Sequence, residues 1–149
     1  MSAATTIALS KIDTIVGIKE ASGDLTLASQ IIKHAHGDFS VLAGDDALTL
    51  PMLSIGGKGV ISVTANIMPD KISGMIKAWE SGNTAMATKM HLDLIEFHNA
   101  MFIETNPIPI KTAMGLLGMC EPNLRLPMCP ISEDNLEKVK KALKDYGLL

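Results

Sequence analysis

The chain has 149 residues, of which 47% are hydrophobic and only 3% aromatic, and it carries a net charge of −3. This length suffices for one domain with an aliphatic core, and the acidic balance excludes the basic patch expected of a protein that binds nucleic acid or an anionic membrane. No apolar run approaches the roughly 18 residues that span a bilayer. The two cysteines lack ligand spacing for zinc and occur without an export signal, so we expect reduced thiols, no metal site and a soluble, cytoplasmic α/β protein.

Strands and helices alternate through the first part of the chain. The predicted strands span residues 12–19, 39–43 and 59–64, and the predicted helices span residues 3–11, 24–36, 46–55 and 69–80. Within the first strand we expect residues 14–18 to be fully buried, because this run is β-branched and shows no polar alternation. Short turns between strand and helix are typical of parallel βα units.

From residue 83 onward the pattern is helical only. The predicted helices there span residues 84–100, 107–119 and 134–146. We therefore divide the chain into an α/β part, residues 1–82, and a helical domain, residues 83–149. Three parallel strands cannot close a (β/α)8 barrel, which takes roughly 250 residues, and they leave two unpaired edges. Either the strands belong to a larger barrel, or the sheet is completed by oligomerisation or element swapping.

A lysine ends the first predicted strand. An unpaired ammonium group is costly to desolvate, so Lys19 is either paired or kept partly neutral, and a neutral amine is a nucleophile for carbonyl carbons. In the alternative interpretation Lys19 extends into solvent or pairs with Glu20 or Asp24. The spacing alone leaves both interpretations open.

Four segments carry a resemblance that covers the chain nearly end to end. They are GIKEASGD at residues 17–24, LAGDD at 42–46, GVISVTAN at 59–66 and NPIPIK at 106–111. In order and spacing they resemble the C-terminal half of the pyruvate-dependent class I aldolase family, which includes dihydrodipicolinate synthase and N-acetylneuraminate lyase. The residues that follow the lysine favour the synthase branch, and a sugar-acid aldolase is the alternative. The resemblance implies a partial (β/α)8 barrel, about the last three βα units, followed by a C-terminal helical domain.

The resemblance also implies a chemistry that needs no cofactor. Lys19 would form a Schiff base with pyruvate, whose enamine adds to aspartate semialdehyde in the diaminopimelate route to lysine. The backbone at Ile61 would lie against pyruvate, and Gly44 would form a pocket wall small enough to admit the substrate.

Several groups of the family are absent from this sequence. The family uses two tyrosines, one of them contributed across a dimer interface, together with a threonine pair and an arginine that binds the substrate carboxylate. The only candidates here, Tyr146 and Arg125, lie in other contexts. The apolar side chains of Ile15, Val16 and Ile18 remain available to lower the pKa of the lysine.

We therefore expect negligible synthase activity from this chain alone. We also expect a homo-oligomer, or a requirement for the missing N-terminal half. A catalytically silent module that only binds a partner is the rival hypothesis from another functional class.

Overall fold

A parallel sheet of three strands forms the first part of the computed structural model, which describes all of residues 1–149. The strands are β1 (Gly17–Glu20), β2 (Ser40–Ala43) and β3 (Gly59–Val60), and they lie in the order β1-β2-β3. Because β2 is central, β1 and β3 each leave one edge unpaired, which confirms the sequence prediction.

Seven α-helices surround and follow the sheet. They are α1 (Ala3–Leu9), α2 (Leu25–His34), α3 (Thr49–Ser54), α4 (Pro69–Glu80), α5 (Thr84–Met101), α6 (Ile108–Leu116) and α7 (Glu133–Asp145). Two short 3₁₀ turns span Asp46–Leu48 and Thr64–Asn66. Every predicted helix is present, with ends shifted by a few residues. None of the seven combines the length and the apolar character needed to cross a bilayer.

The predictions for the first and third strands need correction. β1 begins at Gly17 rather than at residue 12, because the chain turns before it: the Ile15 amide donates to the Ile12 carbonyl at 2.8 Å. The run 14–18 is not fully buried, and Val16 is 74% exposed. The cause is that β1 is an edge strand with an open face. β3 ends at Val60 rather than at residue 64, and the chain leads through residues 61–63 into the 3₁₀ turn at Thr64–Asn66.

Two apolar clusters form the core. The smaller lies between the sheet and its helices and consists of Ala28, Ile31, Val41, Ala43 and Met52. The larger joins α4 to the three C-terminal helices and consists of Val63, Met68, Ile72, Leu94, Phe97, Met101, Ile110, Ala113, Val139, Ala142 and Leu143. The larger cluster thus contains residues from both sides of residue 82. It also includes Val63, from the segment that follows β3.

Candidate active site

The carboxyl ends of the three strands meet at one edge of the sheet. In the parallel register, Lys19 of β1 lies beside Leu42 of β2, and Leu42 lies beside Gly59 of β3. Side chains alternate between the two faces of a strand, so these three residues share one face. Ile18 points to the opposite face, where it packs against the smaller apolar cluster.

Lys19 lies in an open groove on that face. The groove has a volume of about 490 Å³, and the residues that line it include Val16, Gly17, Lys19, Asp38, Leu42 and Ile61. The structure therefore brings together two of the three predicted site residues, Lys19 and Ile61.

The apolar wall predicted for Lys19 is only partly present. Val16 and Ile18 border the groove, although the Ile18 side chain packs on the far face, and Ile15 does not line it. Leu42 and Ile61 supply apolar surface instead. Leu42 could have been found from the sequence. Alternate residues of a strand share a face, and Leu42 is one of the residues of β2 that face the same way as Lys19.

The carboxylates nearest to Lys19 in the sequence have other partners. Glu20 is buried on the helix side and accepts a hydrogen bond from the Ser22 amide at 2.9 Å. Asp24 caps α2, accepting from the amides of Thr26 at 2.8 Å and Leu27 at 3.0 Å. The chain's three ion pairs all lie within α5 or α7. The pairing of Lys19 with Glu20 or Asp24 is therefore wrong. Lys19 is exposed, which agrees with the other form of the alternative, in which its side chain extends into solvent.

Gly44 is buried directly after β2, where two strand ends approach each other. Its amide donates to the Glu20 carbonyl at 2.6 Å. A Cβ atom at this position would lie 3.0 Å from that carbonyl oxygen and closer still to the Ala21 side chain. The glycine is thus required by this close approach, a different reason from the substrate access predicted from the resemblance. Its contact with pyruvate stays a prediction.

Ile61 directly follows β3 and extends the ladder by one hydrogen bond, because its amide donates to the Ala43 carbonyl at 2.8 Å. Its side chain is 47% exposed. No group of the chain donates a hydrogen bond to its own carbonyl oxygen. The carbonyl oxygen of Ile61 therefore has no hydrogen-bond partner within the chain.

A buried carboxylate holds the segment that follows Ile61. Asp46 is fully buried, and one of its oxygens accepts a hydrogen bond from the Ser62 hydroxyl. The other accepts from the amides of Val63 at 2.8 Å and Thr64 at 3.3 Å. We call Asp46 with Ser62, Val63 and Thr64 the Asp46 clamp. The sequence pattern assigned no role to Asp46 itself. The signal available in the sequence was the pair of carboxylates at residues 45 and 46, shortly after a buried strand.

Two buried histidines of α5 lie behind this clamp. The Nδ1 atom of His98 is 2.8 Å from the Thr64 hydroxyl oxygen, while His98 Nε2 and His91 Nδ1 have no hydrogen-bond partner. Burial lowers the pKa of His98 below its ordinary value, although the nearby charge of Asp46 opposes the shift. Burial also lowers the pKa of His91. No three His, Cys, Asp or Glu side chains gather into a possible metal site.

The tyrosine and the arginine of the chain lie outside the groove. Tyr146 packs edge-on against Phe97, with ring centroids 5.2 Å apart, and donates a hydrogen bond to the Asp93 carbonyl. Burial raises the pKa of Tyr146. Arg125 is exposed in the segment between α6 and α7. The groove therefore contains an unpaired amine but neither a phenol nor a guanidinium group.

Known proteins resemble this chain along nearly its whole length. The sequence profile of the Dihydrodipicolinate synthetase family matches residues 1–146. A 4-hydroxy-tetrahydrodipicolinate synthase from Syntrophotalea carbinolica is 54% identical over 149 residues, which are 100% of this chain and 51% of that protein. The chain thus spans about half the length of the curated relatives it matches.

Solved structures give the same picture. The crystal structure of dihydrodipicolinate synthase from Aquifex aeolicus superposes with a TM-score of 0.94 at 43% identity, covering 99% of this chain and 50% of that one. The chloride-inhibited dihydrodipicolinate synthase from Acinetobacter baumannii, complexed with pyruvate, superposes with a TM-score of 0.92 at 35% identity and covers 99% and 51%. These structures resemble the present one through both the sheet and the C-terminal helices.

Proposed function

Because this chain belongs to the dihydrodipicolinate synthetase family, we propose that Lys19 is the amine that forms an imine with pyruvate in a synthase active site. The observation that carries the proposal is the placement of Lys19. Its side chain lies at the carboxyl end of a parallel strand, unpaired, in the same groove as Ile61. In α/β barrels the reactive groups lie at this end of the strands. We also propose that the three βα units are part of such a barrel.

In the proposed reaction the neutral amine of Lys19 attacks the ketone carbon of pyruvate. The carbinolamine loses water and becomes an imine, which acidifies the adjacent methyl group because its electrons can be drawn toward nitrogen. Loss of a methyl proton gives an enamine. The enamine carbon then adds to the aldehyde carbon of aspartate semialdehyde. Cyclisation through the substrate's own amine displaces Lys19 and releases 4-hydroxy-tetrahydrodipicolinate.

Ile61 and Gly44 have supporting roles in this proposal. The carbonyl oxygen of Ile61, which no donor of the chain engages, would contact bound pyruvate. Gly44 would keep the end of β2 close to the end of β1, so that the groove retains its shape.

The proton relay and the carboxylate-binding groups would have to come from outside this chain. Losing a general acid or base costs about 10²–10⁴ in rate, so we propose that the chain alone turns over very slowly. The missing groups would come from an N-terminal half-barrel, and a homo-oligomer is the family's usual assembly. Discrimination between aspartate semialdehyde and a sugar-derived aldehyde would also depend on that half.

The proposal is tested by trapping the imine. The chain is incubated with pyruvate and borohydride, and its intact mass is measured. We expect a gain equal to pyruvate minus water plus two hydrogens. Lys19→Arg, which keeps the charge but cannot form an imine, should lose the adduct, and Lys58→Arg, at another exposed lysine, should keep it. An adduct of equal yield in Lys19→Arg would refute the assignment. Absence of any adduct from the unmodified chain would favour the silent binding module.

A further inference from the structure

The backbone at Ile61 is held from both sides along the chain. On the strand side, its amide is bound to the Ala43 carbonyl at 2.8 Å, which continues the β2–β3 ladder. On the other side, the next three residues are all bound by Asp46. Ile61 lies between these two attachments, the hydrogen bond to Ala43 and the Asp46 clamp. Of residues 61–64, it is the one that lines the groove.

The Asp46 clamp places a buried carboxylate and several of its hydrogen bonds within a short segment. Asp46 is 0% exposed, and its two oxygens accept one hydroxyl and two amide hydrogen bonds. The Ser62 hydroxyl also accepts from the Ala65 amide at 2.8 Å, so the clamp extends into the 3₁₀ turn. A buried carboxylate is costly unless its lone pairs are satisfied, and a satisfied network has few alternative arrangements. The segment after Ile61 is therefore rigid.

The clamp is also fixed to the rest of the protein. Val63 packs in the larger apolar cluster, and the Thr64 hydroxyl lies 2.8 Å from Nδ1 of the buried His98. Asp46 itself begins the turn that leads from β2 to α3. The clamp thus joins the ends of β2 and β3 to α5, independently of the sheet.

We propose that Asp46 is a positioning residue, which holds the backbone of Ile61 at the edge of the groove and thereby sets the affinity of the groove for pyruvate. The inference rests on the proposed function for the identity of the ligand. Asp46 itself is fully buried and does not line the groove, so it acts through Ile61 and not by touching the substrate.

The chain offers a matched control in the neighbouring carboxylate. Asp45 is half-buried and accepts a hydrogen bond from the Ala47 amide at 2.9 Å, but it makes no hydrogen bond to residues 61–66. Asp45→Asn therefore removes one charge from the same loop and leaves the clamp intact. Asp46→Asn keeps one acceptor oxygen and replaces the other by an NH₂ group, so it cannot accept from the Ser62 hydroxyl and from the two amides at the same time, and it also removes the charge. Ser62→Ala removes a single hydrogen bond of the clamp and is the milder variant, should Asp46→Asn fail to fold.

The first measurement is backbone amide hydrogen exchange, which needs no ligand. In Asp46→Asn we expect the amides of Val63, Thr64 and Ala65, which the clamp binds, to exchange about tenfold faster or more, while those of β2 keep their protection, since hydrogen bonds to charged groups are worth about that factor or more. Ser62→Ala should show a smaller change in the same amides, and Asp45→Asn none. Uniformly faster exchange across the chain, or unchanged exchange at residues 63–65, would overturn the inference.

The second measurement separates this inference from the proposed function. In the borohydride assay, Asp46→Asn should raise the pyruvate concentration that gives half-maximal trapping by about tenfold, with the same limiting yield. Asp45→Asn should match the unmodified chain. A normal half-saturating concentration in Asp46→Asn, despite faster exchange at residues 63–65, would refute its role in affinity. If the unmodified chain traps no pyruvate, the proposed function fails, and the positioning of Ile61 is still decided by the exchange data.

Discussion

Lys19 shows how a strand of only four residues can direct one side chain into a groove. Alternation along β1 sends Ile18 and Glu20 toward the helices and Lys19 toward the open face. The two carboxylates nearest to Lys19 in the sequence are engaged elsewhere, Glu20 by a backbone amide and Asp24 by the start of α2. Asp38 also lines the groove but forms no ion pair with Lys19. The chemistry assigned to the groove therefore depends on one unpaired amine and on the backbone geometry around it.

A substitution at Gly44 tests whether the backbone geometry around the groove depends on the close approach of the ends of β1 and β2. We predict that Gly44→Ala destabilises the fold by about 1–3 kcal/mol, because the added methyl meets Ala21 and the Glu20 carbonyl. The second substitution Ala21→Gly should restore part of the loss. Gly74→Ala is the matched control: it lies inside α4 and meets only the flexible end of Met90, so it should be neutral or stabilising. Chemical denaturation measures all three variants, and equal effects of Gly44→Ala and Gly74→Ala would contradict this account.

His98 should make the stability of the fold depend on pH. Burial lowers the pKa of His98 and that of His91. Between a pH of about 6.5 and the lowered pKa, the unfolded chain therefore binds more protons than the folded chain. Stability is then fully present above that window and falls as the solution is acidified through it. We predict a lower Tm at pH 5.5 than at pH 7.5, with a smaller difference in His98→Asn. The exposed His34→Asn should keep the full difference, and a Tm independent of pH would argue against buried neutral histidines.

Among the elements, α7 is attached to the helical part through a carboxylate from another segment. Glu104 accepts hydrogen bonds from the Ser132 amide at 3.1 Å, the Ser132 hydroxyl at 2.7 Å and the Asn135 side chain at 2.8 Å. These hydrogen bonds lower the pKa of Glu104. The one from Asn135 has the largest effect, and those from Ser132 follow. Glu104 thus ties the start of α7, through its N-cap residue Ser132 and through Asn135, to the segment that follows α5.

Removal of this carboxylate should loosen α7. We predict that Glu104→Ala lowers the Tm and speeds amide exchange in α7, while Glu104→Gln, which keeps one acceptor oxygen, has a smaller effect. Glu137→Ala is the control, since Glu137 forms only an exposed ion pair with Lys140 inside α7. Equal changes in Glu104→Ala and Glu137→Ala would contradict the capping role.

The elements also show what the sequence could predict. Helices such as α4, which opens on Pro69, and α2, which is capped by Asp24, carry local signals, so their positions were predicted closely. The length of β3 was not predictable, because an apolar β-branched run continues past Val60 while the chain turns to reach Asp46. The Asp46 clamp joins residues 16 to 18 positions apart, and no local pattern reveals such a contact.

At the scale of the whole molecule, the sheet has two open edges and the groove has one open side. The chain spans about half the length of its relatives, so the proposed active site is only partly built from this chain. The groove holds the proposed nucleophile, whereas Tyr146 packs in the helical part and Arg125 lies in the segment before α7. In the proposed function, capture of pyruvate needs only the amine of Lys19, whereas turnover also needs groups for proton transfer and carboxylate binding that the groove does not contain.

Complementation tests this requirement. We predict that the chain alone shows at most about 10⁻² of the synthase rate of a full-length relative. Addition of the N-terminal half of the Syntrophotalea carbinolica synthase should raise the rate of the mixture, because the matching half of that relative is 54% identical to this chain. The same mixture with Lys19→Arg should stay inactive. Full activity of the chain by itself would contradict the prediction, as would activity of the Lys19→Arg mixture.

The central claim is that one particular amine, Lys19, captures pyruvate. The most direct measurement is to digest the borohydride-trapped protein and locate the modified residue by peptide mass spectrometry. The account predicts that the reduced pyruvate adduct lies on the peptide that contains Lys19 and on no other lysine. An adduct on a different lysine, or one spread over many exposed lysines, would contradict it.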